Sequence, residues 1–289
     1  MTEPRELTWR SSDGLTLFAR DHGSQDPKKL PVICIPGLTR NSRDFEEVAP
    51  WIASMGRRVI AVDLRGRGRS DRDPNPKRYM PLTYAADMVA LLDSIGAPRA
   101  LFVGTSLGGI VTMTLASKHI DRIGGAVLND VGPVVAKEGL ARISSYAGKR
   151  PEVKSWADAI AYAKQTGGVA FPGYTDADWA VFVRRIFKEG ADGVPVLECD
   201  PGVFQPVNPV LTWLLTPLVW GMFRKLAAGR PTLLVRGAIS DVLSVDTANR
   251  MRREAKEMTY VEVENVGHAP TLSEPLAKEC LTRFFAEAS

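Results

Sequence analysis

A serine between glycines stands in the middle of the chain, at the junction of two apolar runs. Ser106 lies in Gly104-Thr105-Ser106-Leu107-Gly108, which matches the G-x-S-x-G pattern of a nucleophile elbow. The run before it is typical of a buried strand, and the run after it is typical of a packed helix. Flanking glycines permit the close backbone approach that a sharp strand-to-helix turn requires. The pattern predicts a nucleophilic hydroxyl at the strand tip, although an ordinary Gly/Ser turn matches the same residues.

A serine hydroxyl becomes a good nucleophile only beside a base, and the chain has 3 histidines. His22 closes an N-terminal hairpin and is expected at the surface. His119 follows Ser106 on the same helix by 13 residues, which places it about 20 Å away. His268 follows the last predicted strand, in a loop that opens on the same sheet edge as Ser106. His268 is therefore the expected base.

Two aspartates could orient His268 and stabilise its protonated form. Asp241 lies after the next-to-last predicted strand, in Gly237-Ala238-Ile239-Ser240-Asp241, and directly precedes the unit that carries His268. Asp130 is the alternative, because it ends the preceding strand at the same sheet edge. Its simpler interpretation is a residue that organises the turn over 129–133. The sequence favours Asp241, which gives the chain order Ser, Asp, His.

The tetrahedral intermediate of such a reaction needs two fixed hydrogen-bond donors for its oxyanion. One is expected from the backbone N–H of Leu107, which follows the nucleophile. The other is expected from the backbone N–H of Leu38, in the loop after the apolar run over 30–35. Gly37 would permit the tight approach of that loop.

Composition limits the function classes. The chain has 289 residues, 45% hydrophobic and 24% charged, which is ordinary for a soluble globular protein. The net charge of +4 comes without a Lys/Arg block interleaved with aromatic residues, so no nucleic-acid partner is expected. The stretch Arg57–Arg72 contains six arginines, but it also contains Asp63 and Asp71, and we expect a solvated loop there.

Cysteine usage and the N-terminus favour a cytoplasmic protein. Cys34, Cys199 and Cys280 are far apart and form no C-x-x-C pair, so neither a structural metal site nor a disulfide is expected. The first residues contain no apolar signal region. The apolar stretch over 210–223 is too short to span a bilayer and contains Pro217, so no membrane partner is expected either.

No cofactor is predicted, and the expected partner is a small-molecule substrate. Gly66 and Gly68 begin a G-x-G-x-x-G pattern, but its third glycine position holds Asp71. The dinucleotide interpretation is therefore rejected. The sequence gives no indication of the oligomeric state.

Apolar runs and amphipathic stretches alternate along most of the chain. An N-terminal hairpin turns at Asp13-Gly14, and buried strands are then predicted at 30–35, 59–62, 100–103, 123–130, 231–236 and 259–263. Helices are predicted between them. This alternation predicts an α/β fold with a mostly parallel twisted sheet covered by helices on both faces.

The alternation breaks between residues 131 and 229. This segment has helical patterns and several tryptophans but no clear buried strand. We expect a helical cap, or lid, inserted into a core domain made of residues 1–130 and 230–289. Substrate specificity would then depend on the cap.

Taken together, these motifs resemble those of the α/β-hydrolase family, in its serine-nucleophile branch of esterases, enol-lactonases and carbon–carbon hydrolases. The resemblance covers nearly the full chain and is carried by Pro36-Gly37-Leu38, Asp63-x-Arg65-Gly66-x-Gly68-x-Ser70, the Ser106 elbow, Gly237-x-x-Ser240-Asp241 and Gly267-His268. Two features depart from other members. Pro36-Gly37 replaces the frequent His-Gly, and a serine stands where the dehalogenase and epoxide-hydrolase branches have an aspartate nucleophile.

The resemblance implies a hydrolase of class EC 3 with the triad Ser106, Asp241 and His268. Hydrolysis of a carboxylic ester or lactone is the first expectation. Hydrolytic carbon–carbon cleavage of a diketone-like substrate and acyl transfer to another acceptor are the enzymatic alternatives. A ligand receptor built on the same fold is the alternative from a different class.

Overall fold

A computed structural model describes residues 3–23, 26, 28–205 and 209–288. Its strands are β1 Arg5–Arg10, β2 Thr16–His22, β3 Val32–Ile35, β4 Val59–Asp63, β5 Ala100–Thr105, β6 Ile123–Asn129, β7 Phe187–Glu189, β8 Pro195–Leu197, β9 Thr232–Gly237 and β10 Thr259–Val263. Its α-helices are α1 Val48–Ser54, α2 Pro81–Ser94, α3 Leu107–Lys118, α4 Lys137–Tyr146, α5 Trp156–Gly167, α6 Asp176–Ile186, α7 Pro209–Ala227, α8 Val245–Glu254 and α9 Pro275–Glu287. The strands predicted for the core are all present, with ends that differ by a few residues.

The main sheet has the strand order β1-β2-β4-β3-β5-β6-β9-β10. The predicted hairpin is confirmed, since β1 pairs antiparallel with β2, and β2 pairs antiparallel with β4. All other neighbours in this sheet are parallel. Because parallel strands end at one edge, the loops after β3, β5, β6, β9 and β10 lie along the same edge of the sheet.

Helices bury both faces of the sheet, which explains the nearly unbroken apolar runs. Successive residues of β3 alternate between two separate apolar clusters. Ile33 and Ile35 pack with the side that contains α2, α3 and part of α7. Val32 and Cys34 pack with the side that contains α1 and α9. Cys34 is fully buried, as predicted, and burial raises the pKa of its thiol.

The insertion, defined here as residues 131–229, is mostly helical but differs from the expected cap in two ways. It contains the short antiparallel hairpin β7–β8, which forms a sheet of its own. Helix α7 also belongs partly to the core, because Trp220, Phe223 and Leu226 are buried in the cluster that contains α3. The earlier half of α7 is exposed and apolar, with Trp213 at 73% exposure.

Backbone hydrogen bonds attach the insertion to the core at several points. Gly68 N–H donates to Glu198 C=O at 2.9 Å, and Asp200 N–H donates to Gly66 C=O at 2.8 Å. On the other side, Gly267 N–H donates to Ala170 C=O at 2.7 Å. The insertion is therefore bonded directly to the loop after β4 and to the loop that carries His268.

The expectation of a solvated arginine-rich loop is wrong in part. Arg57, Arg65 and Arg67 are buried. The guanidinium of Arg65 bonds to the carboxylates of Asp13, Asp73 and Asp87, which makes it the centre of an ion-pair network. Such pairing is what allows a charged side chain to remain inside a protein.

His22 is also buried rather than at the surface, and burial lowers the pKa of its imidazole. It belongs to β2, next to β4, and lies outside the edge that collects the loops after the parallel strands. Within the described ranges, no helix is both long and apolar enough to cross a membrane.

Candidate active site

Ser106 lies at the tip of β5, as the first residue before α3. Its backbone has φ 52° and ψ −115°, a positive φ that L-residues rarely adopt and that strains the turn. The turn is held from the neighbouring strand, because Ser106 N–H donates to Asn129 C=O at 3.0 Å. The sharp turn predicted from G-x-S-x-G is therefore present.

The two glycines of the motif are required by close backbone approach. A Cβ built on Gly104 would lie 2.5 Å from the carbonyl carbon of Gly108. A Cβ built on Gly108 would lie 2.1 Å from the carbonyl oxygen of Ile35. Any side chain at these positions would push α3 away from the sheet and displace Ser106.

His268 is placed against Ser106 by the loop after β10. Its Nε2 lies 2.8 Å from Ser106 Oγ. Neither His22 nor His119 approaches the serine with a hydrogen bond. Of the three histidines, the structure therefore places His268 beside Ser106.

The carboxylate beside His268 belongs to Asp130. Its Oδ2 lies 2.7 Å from His268 Nδ1, and the residue is 0% exposed. The same carboxylate accepts hydrogen bonds from Gly237 N–H at 2.9 Å and from Ser240 Oγ at 2.6 Å. The preference of the sequence for Asp241 as the partner of His268 is therefore wrong, and the alternative that it left open is the one that the geometry supports.

The distance of each aspartate from its strand end separates Asp130 from Asp241. Strand β6 lies beside β5, and β9 lies between β6 and β10, so the strand order alone would permit either aspartate to approach His268. Asp130 follows β6 immediately, with φ 54°, which turns the chain sharply at the sheet edge. Asp241 lies four residues beyond the end of β9, and the part of that loop that faces the site is Ser240.

Asp241 is instead paired with Arg142 of the insertion. Arg142 Nε and Nη2 donate to the two carboxylate oxygens of Asp241 at 2.5 and 2.8 Å. Burial acts to raise the pKa of Asp241, but the hydrogen bonds and charge of Arg142 outweigh it, and the pKa is lowered overall. This carboxylate is therefore an anion engaged by a cation from α4.

Of the two residues expected to supply oxyanion donors, Leu107 follows Ser106 in the chain and Leu38 lines the same cavity as Ser106. The loop after β3 approaches closely, since a Cβ on Gly37 would lie 3.7 Å from Ser106 Cβ. Leu38 follows Gly37, and Leu107 begins α3, where the first N–H groups of a helix have no partner inside it. Among the described residues, neither of these two N–H groups donates to an acceptor.

A cavity of about 170 Å³ lies between this edge of the sheet and the insertion. Ser106, His268 and Leu38 are at its core side. The insertion contributes a largely apolar wall: Ile143, Tyr146, Tyr162, Phe171, Phe182, Ile186 and Leu197. A cavity of about 150 Å³ accommodates a single benzene ring, so this one has room for a short acyl chain or small ring.

The arginines that line the cavity are each paired with a carboxylate. Arg40 binds Asp44, and Arg142 binds Asp241. Arg185 binds Glu47. Because these three charges are compensated, the part of the wall that the arginines form suits a neutral group better than a free anion. Lys149, an exposed residue of the same lining, forms no ion pair among the described residues.

Two tyrosines of the same wall remain protonated at neutral pH. Burial raises the pKa of Tyr162 to about 12 and also raises the pKa of Tyr146, against the opposing charge of Arg142. A protonated phenol can donate a hydrogen bond to an ester or hydroxyl oxygen.

The contacts of Ser240 and Arg142 are not predictable from the sequence. The Gly237-x-x-Ser240 motif donates hydrogen bonds to Asp130 instead of placing Asp241 beside the histidine. The available signal was the position of Asp130 directly at a strand end, since a side chain there needs no further loop to reach the sheet edge. No comparable signal marked Arg142, because its partner is 99 residues away in the chain.

Comparison with known proteins agrees with the fold and with an enzyme of the hydrolase class. Residues 32–278 match the model of the alpha/beta hydrolase family. A 3-hydroxybutyrate-oligomer hydrolase of Cupriavidus necator is 34% identical over 284 residues, which cover 96% of this chain and 96% of that protein.

Solved structures give the same result. An alpha/beta hydrolase from Novosphingobium aromaticivorans superposes with a TM-score of 0.89 at 38% identity, and the match covers 99% of both chains. The structure of E-2-(acetamidomethylene)succinate hydrolase has the same fold, with a TM-score of 0.76 at 22% identity over 98% of this chain and 100% of that one.

The chain belongs to the alpha/beta hydrolase family. It is an enzyme of the hydrolase class that acts on a small substrate.

Proposed function

We propose that this hydrolase cleaves carboxylic esters with a triad formed by Ser106, His268 and Asp130. One observation carries the proposal. A continuous hydrogen-bonded series joins Ser106 Oγ to His268 Nε2 at 2.8 Å and His268 Nδ1 to Asp130 at 2.7 Å. This is the relation between nucleophile, base and orienting acid that acyl transfer requires.

In the first half of the reaction, Ser106 Oγ attacks the ester carbonyl carbon while His268 Nε2 takes its proton. Asp130, hydrogen-bonded at Nδ1, keeps the ring in the correct tautomer and stabilises the imidazolium. The N–H groups of Leu38 and Leu107 bind the oxyanion of the tetrahedral intermediate. When the intermediate collapses, the ester C–O bond breaks, and the leaving alcohol takes the proton from His268.

In the second half, water attacks the acyl group on Ser106. His268 accepts a proton from this water and returns it to Ser106 Oγ, which leaves as the carboxylic acid product forms. No group outside the chain is needed, apart from ester and water.

The acyl group that fits best is short and neutral. The cavity is small, its insertion side is apolar, and its arginines are already paired. The similarity to a 3-hydroxybutyrate-oligomer hydrolase, which covers nearly the whole chain, supports short esters of hydroxy acids as the substrate class. We propose such esters as substrates, with the insertion acting as the lid that encloses the acyl group.

Two measurements test this proposal together. A fluorophosphonate probe should label the wild-type protein but not Ser106→Ala, because the probe reacts only with an activated serine. In a separate assay, wild-type protein that has not been treated with the probe should hydrolyse short hydroxyacyl esters faster than long-chain esters, lactones or diketones. Labelling without turnover of any compound would favour a ligand receptor, and cleavage of diketones alone would replace ester hydrolysis with carbon–carbon hydrolysis. Release of an acylated acceptor other than water would indicate acyl transfer.

A further inference from the structure

Arg67 is a buried cation without a counter-ion. The residue is 1% exposed, and within the described part of the chain its guanidinium forms no ion pair with a carboxylate. The nearby Asp200 carboxylate accepts hydrogen bonds from Tyr79 and Gly202 instead. Arg65, two residues away, is surrounded by three aspartates. Burying a charge without a counter-ion costs free energy of folding, so the buried position of Arg67 requires a physical explanation.

The hydrogen bonds of Arg67 join the loop after β4 to the loop that carries Leu38. Its Nε donates to Leu38 C=O at 2.9 Å. Its Nη1 donates to Arg65 C=O and to the hydroxyl of Tyr84, both at 2.7 Å. A donor that carries a full charge forms a stronger hydrogen bond than a neutral donor, so the bond from Arg67 restrains the carbonyl group of Leu38.

Packing fixes the guanidinium itself. Its central carbon lies 5.0 Å from the ring centre of Tyr84 and 5.6 Å from that of Tyr79. The backbone of Arg67 also forms a bridge with Cys199 of the insertion. Burial raises the pKa of the Cys199 thiol to about 11, so this neighbour is neutral and does not cancel the charge.

A comparison within the chain separates Arg67 from an ordinary structural arginine. Arg57 is also buried, also lacks a carboxylate partner among the described residues, and also donates to carbonyl groups. Its acceptors include Phe285 and Ala288, at the carboxyl end of α9, where a cation is favoured by the helix dipole. Arg67 caps no helix end. Its one long-range backbone acceptor is the residue that carries a proposed oxyanion donor.

We propose that Arg67 is a positioning residue of the oxyanion loop. It fixes the backbone of Leu38, and its uncompensated charge favours the negative tetrahedral intermediate over the neutral ester. This inference rests on the proposed ester hydrolysis through Ser106. It assigns a function to a residue that does not touch the substrate and acts through Leu38.

The test compares Arg67→Met and Arg67→Lys with Arg57→Met as the matched control. For each variant, kcat and KM are measured on one ester, together with the affinity for a boronic acid that forms an anionic adduct with Ser106. Arg67→Met should lower kcat and boronic acid affinity by about 10- to 100-fold, less than the roughly 10²–10³-fold cost of removing an oxyanion donor itself. KM should stay within about threefold, because the ground-state ester is neutral.

The control distinguishes positioning from simple structural support. Arg57→Met should lower the melting temperature while leaving kcat and boronic acid affinity unchanged. Arg67→Lys keeps the charge but loses the forked donors, and its kcat should fall between those of wild type and Arg67→Met. If Arg67→Met does not fold, Arg67→Lys decides, with a kcat loss of at least about threefold expected at unchanged KM.

Equal losses in Arg57→Met and Arg67→Met, a loss confined to KM, or an unchanged kcat in Arg67→Lys would overturn the inference while leaving ester hydrolysis intact. Failure of wild-type Ser106 to react with fluorophosphonate or to turn over any ester would instead overturn the proposed function, and the assignment of Arg67 with it.

Discussion

The carboxylate of Asp130 meets Nδ1 of His268 at 2.7 Å across 138 residues of sequence. The two residues lie at the ends of β6 and β10, with β9 between these strands in the sheet. The loop after β9 closes the gap, because its Gly237 N–H and Ser240 hydroxyl both donate to the same carboxylate. Two donors therefore hold the Asp130 carboxylate, which can present a fixed acceptor to the histidine.

Replacing Ser106, the proposed nucleophile, should abolish the reaction and preserve the fold. In Ser106→Ala, the hydroxyl is lost but Gly104 and Gly108 still permit the turn. Turnover should fall by at least about 10³-fold, as when a member of a catalytic triad is removed. Steady-state kinetics measure the loss, and circular dichroism checks the fold. Ser144→Ala, on an exposed face of the insertion, serves as the control and should keep full activity.

Asp130→Asn should be far more damaging than Asp241→Asn. An amide at position 130 removes the charge that stabilises the imidazolium and can invert the tautomer of His268. The corresponding change in a serine protease lowers turnover by about 10⁴-fold, and we expect about 10³–10⁴-fold here. Asp241→Asn should change kcat by less than about tenfold, because the group that it loses is an ion pair with Arg142.

The two variants are compared on one ester, with the melting temperature of each recorded. A severe loss in Asp241→Asn beside a mild loss in Asp130→Asn would return the acid to Asp241. Such a result would leave Ser106 and His268 in place and would require the loop after β9 to move during the reaction.

Breaking the pair between Arg142 and Asp241 should raise KM more than it lowers kcat. The pair joins α4 of the insertion to the core loop after β9, beside the cavity. In Arg142→Ala, α4 loses this attachment and the cavity wall becomes less ordered. Lys164→Ala, which breaks an exposed pair with Asp176, should leave KM unchanged. A fall in kcat at constant KM would argue against a function in substrate enclosure.

The ion pair between Arg142 and Asp241 also makes the stability of the protein depend on pH, in a direction that follows from the lowered pKa of Asp241. Arg142 lowers the folded pKa of Asp241 below its unfolded value, so the pair stabilises the protein above the ordinary aspartate pKa of about 3.9. That contribution is lost as the pH falls through the lower, folded pKa. Denaturant unfolding should therefore separate wild type from Arg142→Ala by about 1 kcal/mol at pH 7 and by less under strongly acidic conditions.

Removing the buried cation Arg65 should destabilise the fold severely. Arg65→Met leaves the carboxylates of Asp73 and Asp87 buried without their main partner. Breaking a buried ion pair from one side typically costs about 3–5 kcal/mol, and urea unfolding should detect a loss of this size. Arg69→Met, which breaks the exposed pair with Glu6, is the control and should change stability far less. Equal effects would mean that the network is not the source of stability.

Local sequence patterns were sufficient for most of the core. Strands such as β3 and β4 are short apolar runs because both faces of the sheet are covered, and such runs can be recognised without knowledge of the fold. The hairpin β7–β8 was missed because Phe187–Glu189 and Pro195–Leu197 are too short to form a recognisable pattern. The dual membership of α7 was missed for another reason, since its apolar residues run through both the exposed and the buried half.

The candidate site, like the fold, could be predicted from the sequence only in part. Ser106 and His268 could be found because a rare local motif and a small number of histidines narrowed the choice. The sequence favoured Asp241 over Asp130, because the contacts that decide between them, from Arg142 to Asp241 and from His268 to Asp130, depend on the tertiary structure. Arg67 was expected in solvent, since three of its close neighbours are also arginines, and only the tertiary structure places the ring of Tyr84 and the carbonyl of Leu38 around it.

The hydrogen bond from Gly267 N–H to Ala170 C=O has a consequence for how this enzyme can change over evolution. Because the insertion bonds to the residue directly before His268, it is not an independent module that can be exchanged for another one. A graft from a relative must supply a carbonyl at the same place, or His268 loses part of its support. New specificity should therefore arise more easily from single substitutions in the cavity wall than from replacement of the whole segment.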